Sequence, residues 1–180
     1  MPPFEALGQL AVSFQMTVRL CREADLPALE WMGLFTHDRD IIREAFEAQQ
    51  RGEALMLLGV AAGFPVGQVW IDLATKRDEK TAILWAVRTF PPLQCAGIGR
   101  CLMLTACDML GTRGIFRAEL EVDRANAQAM RFYERLGWRL AEPALHGGEA
   151  QGAPANSDEP EWITLNKKIR PPACSGRPVR

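Results

Sequence analysis

The stretch Gln94-Cys95-Ala96-Gly97-Ile98-Gly99-Arg100 constrains this chain most, because it lies between a strand-like run and a helical pattern. Glycines at 97 and 99 let main chain approach a ligand closely and leave successive amides free where the helix begins. Free amides and the positive end of a helix dipole together suit an anion such as a pyrophosphate, and Arg100 adds charge in the first turn. The same spacing also serves tight strand–helix packing, so alone it names no ligand. It is not the dinucleotide-binding fingerprint, since Leu102 occupies the third glycine's place. Nor is it a P-loop, because no Gly-Lys-Ser/Thr follows.

A second informative stretch runs from Leu120 to Trp138, where Leu-Glu-Val-Asp-Arg-Ala-Asn leads into Ala-Gln-Ala-Met-Arg-Phe-Tyr-Glu-Arg-Leu-Gly-Trp. A strand ends here and Asn126 caps a helix, with Tyr133 on nearly the same helical face as the cap. Taken singly, Asn126 is a cap and Tyr133 a core aromatic with a polar tip. Tyr133 is, however, the only tyrosine in the chain.

Around these stretches, strand and helix patterns mix, which indicates an α/β or α+β protein built on a mixed sheet. The pattern predicts a strand from Thr17, a helix capped by Asp25 and running through Leu29, Met32 and Phe35, and a second helix through Ile41, Ile42, Ala45 and Phe46. A strand over 54–60, a turn at 63–67 and a strand over 68–73 form a hairpin. Strands at 81–89 and 116–122, helices at 98–110 and 127–136, and short strands at 138–140 and 162–165 complete the order. Residues 1–15 read as an extension, 16–170 as one domain, and 171–180 as a disordered tail. Met16 and Met1 are both possible natural starts. The Gly-, Ala- and Pro-rich segment from Pro143 to Pro160 is long for a connection, which makes it either mobile or functional.

Composition excludes several classes. Twenty-one basic and 22 acidic side chains leave a net charge of -1 among 180 residues, so a general nucleic-acid binder is excluded. No apolar run is long enough to span a bilayer, and the N-terminus lacks the features of a secretory signal. Five cysteines without a Cys-x-x-Cys pair, and only two histidines, supply too few well-spaced ligands for a metal. Reduced thiols and a cytoplasmic location follow as expectations.

Together the two stretches resemble the GCN5-related N-acetyltransferase superfamily, which transfers acyl groups from acyl-CoA. The first matches its Gln/Arg-x-x-Gly-x-Gly/Ala pyrophosphate loop, with Pro91 three residues before Gln94. The second matches its Asn-x-x-Ala-x-x-Phe-Tyr-x-x-x-Gly-Phe/Trp element. Both occur in the right order, with a helix and a strand between them. The resemblance implies a mixed, partly splayed sheet with acetyl-CoA as co-substrate and no metal. It implies that Val87, Arg88 and Thr89 hold the pantetheine arm through main chain, with a free amide near Val87 polarising the thioester carbonyl. Gln94, Cys95, Ala96, Gly97, Ile98, Gly99 and Arg100 would wrap the pyrophosphate, and Asn126 would contact the cofactor arm. Tyr133 would protonate the departing thiolate, or only orient the sulfur as a neutral donor.

An aliphatic ammonium must lose a proton before it attacks, so a base is needed. Glu121 is the first candidate, because Leu-Glu-Val-x-x-x-Asn resembles the bacterial ribosomal-protein N-terminal alanine acetyltransferases, where this glutamate is the base. Its competing reading is a solvated carboxylate on one strand face with Glu119 and Asp123. Asp72 is the second candidate. Asp38-Arg39-Asp40 borders the acceptor side in the family and would attract a cation, or is simply a hydrated loop. Cys95 is not a nucleophile, since the family transfers directly. Trp70, Trp85 and Trp138 read as core or cleft packing. The leading expectation is acetylation of a small primary amine, the runner-up acetylation of a protein N-terminus, and the third a non-catalytic acyl-CoA-binding module. Homodimerisation is common in the family, but the sequence specifies no interface.

Overall fold

The run Ala-Leu-Met-Leu-Leu-Gly-Val-Ala at 54–61 is apolar throughout rather than alternating, as expected of a strand covered on both faces. In the computed structural model, which describes residues 13–141 and 160–171, this strand lies inside a seven-stranded sheet. Leu55 and Leu57 face one hydrophobic layer, while Met56 and Leu58 face another.

The strands are β1 (Thr17–Leu20), β2 (Ala54–Ala61), β3 (Phe64–Asp72), β4 (Thr81–Thr89), β5 (Arg117–Asp123), β6 (Arg139–Leu140) and β7 (Trp162–Lys168). The helices are α1 (Arg39–Gln50), α2 (Ile98–Thr112) and α3 (Ala127–Arg135). The sheet order is β1-β2-β3-β4-β5-β7-β6. All neighbours are antiparallel except β4 and β5, whose parallel pairing is made possible by the crossover through α2. The α/β mixed sheet expected from the sequence is therefore present.

One layer is formed by Val69, Ile71, Ala82, Leu84, Ala118, Leu120 and Val122 against Ile98, Leu102, Met103, Ala106 and Leu110 of α2, with Tyr133 and Trp138 in the same cluster. The other is smaller: Ile42, Ala45 and Phe46 of α1, with Leu26 and Leu29, cover Met56, Leu58 and Trp70. Helix α1 presents these three residues at helical spacing, and its other positions are polar apart from Ile41 and Ala48. On β4, β5 and β7 the same face leaves Trp85, Glu121 and Trp162 exposed.

Two expected elements differ. Residues 25–35 do not form an α-helix capped by Asp25. Glu23–Glu30 is a 3-10 segment whose N-cap is Arg22, and Asp25 reaches back to accept the Arg22 amide at 2.8 Å. Arg19 grips the same carboxylate at 2.6 and 2.8 Å. Pro27 lies inside the segment, and Trp31, Met32 and Gly33 then take successive left-handed conformations with φ of 43°, 56° and 95°. Trp31 is consequently buried, whereas Met32, expected on the inner face, is 81% exposed. The hairpin turn is also earlier than 63–67. Ala62 and Gly63 make it, with φ of 48° and 79°, and Phe64 to Gly67 belong to β3.

Met16 packs against Gly59 of β2. The 1–15 extension, the 171–180 tail and the 143–160 connection fall almost wholly outside the described residues.

Candidate active site

Strands β4 and β5 pair only over Thr81–Leu84 with Arg117–Leu120, so the second half of β4 has no partner on that side. Its register with β3 also slips: Gln68 faces Arg88, yet Trp70 faces Trp85. The extra residue is a β-bulge, and Ala86 has φ of 47° there. Beyond the bulge, Phe90 donates its amide to the Val66 carbonyl at 2.9 Å. Strand alternation then turns the Arg88 amide toward β3 and the amides of Val87 and Thr89 toward the opening between β4 and β5. Of the three residues expected to hold the arm, Val87 and Thr89 thus present main-chain donors that the sheet leaves unused, whereas the Arg88 amide is turned to β3.

The loop after β4 ends in helix α2. Cys95 has φ of 64° and Gly97, the N-cap, φ of 84°. The first helical bond is Cys101 N–H to the Gly97 carbonyl at 3.0 Å, which leaves the amides of Ile98, Gly99 and Arg100 without intrahelical partners. Gln94, Cys95, Ala96 and Arg100 are exposed around them. Gly99 has another role: a Cβ there would lie 3.4 Å from the Phe132 ring and 3.5 Å from Thr89 Oγ1. These are ordinary contact distances, so Gly99 marks where α2 packs on α3 and β4. The loop therefore fits a pyrophosphate by three free amides, a helix N-terminus and an adjacent arginine.

On α3, Asn126 Oδ1 accepts the Ala129 amide at 3.0 Å, so the cap is real and the side-chain amide nitrogen stays available. Tyr133 is 7% exposed, with its ring edge-on to Phe132 at 5.2 Å and near Trp138 at 6.2 Å. Burial alone pushes the phenol up to about 12, which keeps it protonated and a donor.

The three carboxylates of β5 share one face but not one environment. Glu119 pairs with Lys76 at 2.5 Å. Asp123 accepts the Ala125 amide at 2.9 Å. Glu121, opposite Thr164 of β7, is exposed and has no such partner among the described residues. Asp72 is held in a turn by the amides of Ala74 (2.7 Å) and Thr75 (3.1 Å) and by the Thr75 hydroxyl. Burial raises its carboxyl, but these hydrogen bonds outweigh burial and leave it below the ordinary carboxylate range. Of the two base candidates, Glu121 is the one left available.

Sequence reasoning missed the role of Arg88's side chain. Its guanidinium lies 4.0 Å over the Phe35 ring, and Nη1 is 2.9 Å from Asp38 Oδ2. Arg39 is likewise engaged, with Glu30 at 2.7 Å. The Asp38-Arg39-Asp40 break is thus an anchor between the 31–38 segment and β4 rather than a free acidic loop. Trp70 and Trp138 are core residues, and Trp85 stands 39% exposed at the open face, as expected. Among the described residues, no group of three or more His, Cys, Asp or Glu side chains is arranged for a metal, and no helix is long and apolar enough to cross a membrane.

A splayed parallel pair, a bulged strand and an amide-rich helix start on that strand's C-terminal side fit the N-acetyltransferase fold that the sequence resembles. The model for the acetyltransferase (GNAT) family matches residues 17–138, and the chain belongs to that family. A ribosomal protein bS18-alanine N-acetyltransferase from Salmonella typhimurium is 32% identical over 130 residues, covering 69% of this chain and 82% of that protein. Among solved structures, the ribosomal-protein-S18-alanine N-acetyltransferase from Escherichia coli superposes with a TM-score of 0.66 at 22% identity, over 89% of this chain and 98% of the other. The PaiA N-acetyltransferase from Thermoplasma acidophilum, solved with coenzyme A, gives 0.63 at 19% identity, over 86% and 99%.

Proposed function

We propose that this N-acetyltransferase moves an acetyl group from acetyl-CoA to the α-amine of a protein N-terminus. This reverses the order reached from sequence, which put a small primary amine first. The observation that carries it is Glu121, left unpaired on the uncovered face of β5, in a chain whose relative is named for acetylating the alanine of a ribosomal protein. An extended peptide suits a face that α1 does not cover.

Acetyl-CoA supplies the activated thioester. The amides of Ile98, Gly99 and Arg100 would bind its pyrophosphate, and those of Val87 and Thr89 its arm and thioester carbonyl. Glu121 would take the proton released by the attacking amine. That demand is modest for an α-amine: at a pKa of about 8, roughly a tenth is neutral at pH 7, against less than about a thousandth for a lysine. Tyr133 would donate to the departing sulfur. A phenol held near 12 gives up its proton reluctantly, so a neutral donor describes it better than a full acid.

A small-molecule acceptor keeps one supporting observation. A cavity of about 280 Å³ between α1 and β4 is lined in part by Glu44, Glu53, Asp72 and Trp85, a set suited to a compact cation. Thiol release from acetyl-CoA separates the readings. Alanine-initiated peptides should outpace polyamines and free lysine by at least about tenfold in kcat/KM. Faster turnover of polyamines would return the function to small amines. Binding of acetyl-CoA without turnover of any acceptor would leave a binding module.

A further inference from the structure

Four buried side-chain nitrogens lack a hydrogen-bond partner among the described residues: Trp31 Nε1, Gln68 Nε2, Arg88 Nη1 and Trp138 Nε1. Trp138 belongs to the core beside Tyr133, whereas the other three residues are linked through a run of contacts. Gln68 and Arg88 are direct cross-strand partners on β3 and β4. The Arg88 guanidinium covers Phe35, whose ring is 5.5 Å from that of Trp31, and Trp31 in turn lies 5.7 Å from Phe90. Gln68 is fully buried, and its orientation is fixed because Trp70 Nε1 donates to Oε1 at 3.1 Å, leaving Nε2 as the free end. Arg88 Nη1 makes no aligned hydrogen bond but is ion-paired with Asp38 Oδ2 at 2.9 Å, so the donors left open are Gln68 Nε2 and Trp31 Nε1.

A sealed donor without a partner is costly, so the two together call for a role. Both are donors, and such a pair specifies an oxygen. It is carried on the face that bears Glu121 and Trp85, two residues beyond the bulge at Ala86. We infer that Gln68 and Trp31, beside the ion-paired Arg88, form a subsite for the first peptide carbonyl of the acceptor, the one separated from the α-amine by a single carbon. The inference rests on the N-terminal reading above and names what would distinguish an α-amine from a lysine or polyamine nitrogen, which carries no such carbonyl. In the free protein the donors are shut in beside residues 31–38. The left-handed run at Trp31, Met32 and Gly33 is the strained part of that wall, and its outward shift admits the oxygen.

The test compares an alanine-initiated peptide with its analogue in which the first carbonyl is reduced to a methylene, in the wild-type protein and in Gln68→Met and Trp31→Phe. The ratio of kcat/KM for peptide over analogue should fall about tenfold in each variant, while KM for acetyl-CoA stays unchanged. Comparing ratios cancels both the altered basicity of the analogue's amine and any general loss from imperfect packing. An unchanged ratio in both variants, with peptide and analogue losing equally, would overturn the subsite and assign the donors to a structural water. Failure of the wild-type protein to prefer peptides over polyamines would defeat the N-terminal reading itself, and the subsite with it.

Discussion

The cofactor side and the acceptor side of this molecule are built from different materials. Around residues 87–100, the groups left open for the proposed cofactor are main-chain amides, placed by a bulge, a strand that loses its partner and a helix start. Around residues 23–38, the wall is 3-10 and left-handed backbone held by side chains: Arg19 on Asp25, Arg39 on Glu30, Arg88 on Asp38. The difference teaches how one scaffold keeps a constant donor and a changeable acceptor. Amides cannot be mutated away, so the side proposed for acetyl-CoA should tolerate substitution at exposed positions such as Cys95. Side-chain clamps change with single substitutions, and so does the wall they hold.

The largest test of this contrast is Tyr133→Phe. If the phenol assists the departing sulfur, kcat should fall about 100-fold while KM for acetyl-CoA and thermal stability stay near wild type. A loss carried mainly in KM would make Tyr133 a packing residue of the cofactor side only. Glu121→Gln should follow, with about a 10- to 100-fold loss near pH 7. The loss should shrink as pH rises toward the acceptor's own pKa of about 8, because the amine then arrives already neutral. A deficit that is constant with pH would remove Glu121 from the role of base.

The fold and the placement of the motif residues were legible because their signals are local. Gly-x-Gly between a strand and a helix, Asn126 as a cap and the spacing to Tyr133 lie within short windows, and the structure brings each to its expected element. The acceptor side was not legible, because its determinants are spread along the chain. The run 81–89 alternates like an uninterrupted strand, and the bulge at Ala86 shows only in its pairing with β3. Helical spacing at Leu29, Met32 and Phe35 suggested an α-helix, but the grip of Arg19 and Arg22 on Asp25, with Pro27 behind it, imposed a tighter turn. Arg88 and Asp38 are distant in sequence, so neither predicts the other.

A medium effect is expected where the acceptor wall begins. Asp25 accepts two bonds from Arg19 and one from the Arg22 amide, and the Arg19 hydrogen bond chiefly holds its carboxyl below the usual carboxylate range, against a smaller rise from burial. Asp25→Asn should cost about 1–2 kcal/mol of stability, at the low end because solvent reaches the Arg19 side. The sign in pH follows from a folded pKa lying below the unfolded value. The stabilisation is complete above about pH 4 and is lost as pH falls through the folded pKa, so wild type and variant should converge in acid melts. Stability curves that stay parallel down to pH 2 would mean that the charge of Asp25 contributes nothing.

The smallest effect sharpens the comparison most directly, because it uses the same substitution on both sides. Gly97 and Gly33 both have φ in the left-handed region, at 84° and 95°. A Cβ at Gly97 would meet nothing within 4 Å, and one at Gly33 only Thr36 Oγ1 at 3.9 Å. Alanine therefore fits by space at either position and is penalised by backbone alone, by about 1 kcal/mol. Relief of that strain should displace different ligand groups. Gly97→Ala moves the start of α2 and should raise KM for acetyl-CoA by roughly fivefold, leaving acceptor KM unchanged. Gly33→Ala moves the wall beside Arg88 and should raise acceptor KM by a similar factor, leaving acetyl-CoA untouched. If both substitutions raise both constants, the two sides are one coupled structure, and the division between an amide-built donor site and a side-chain-built acceptor wall does not hold.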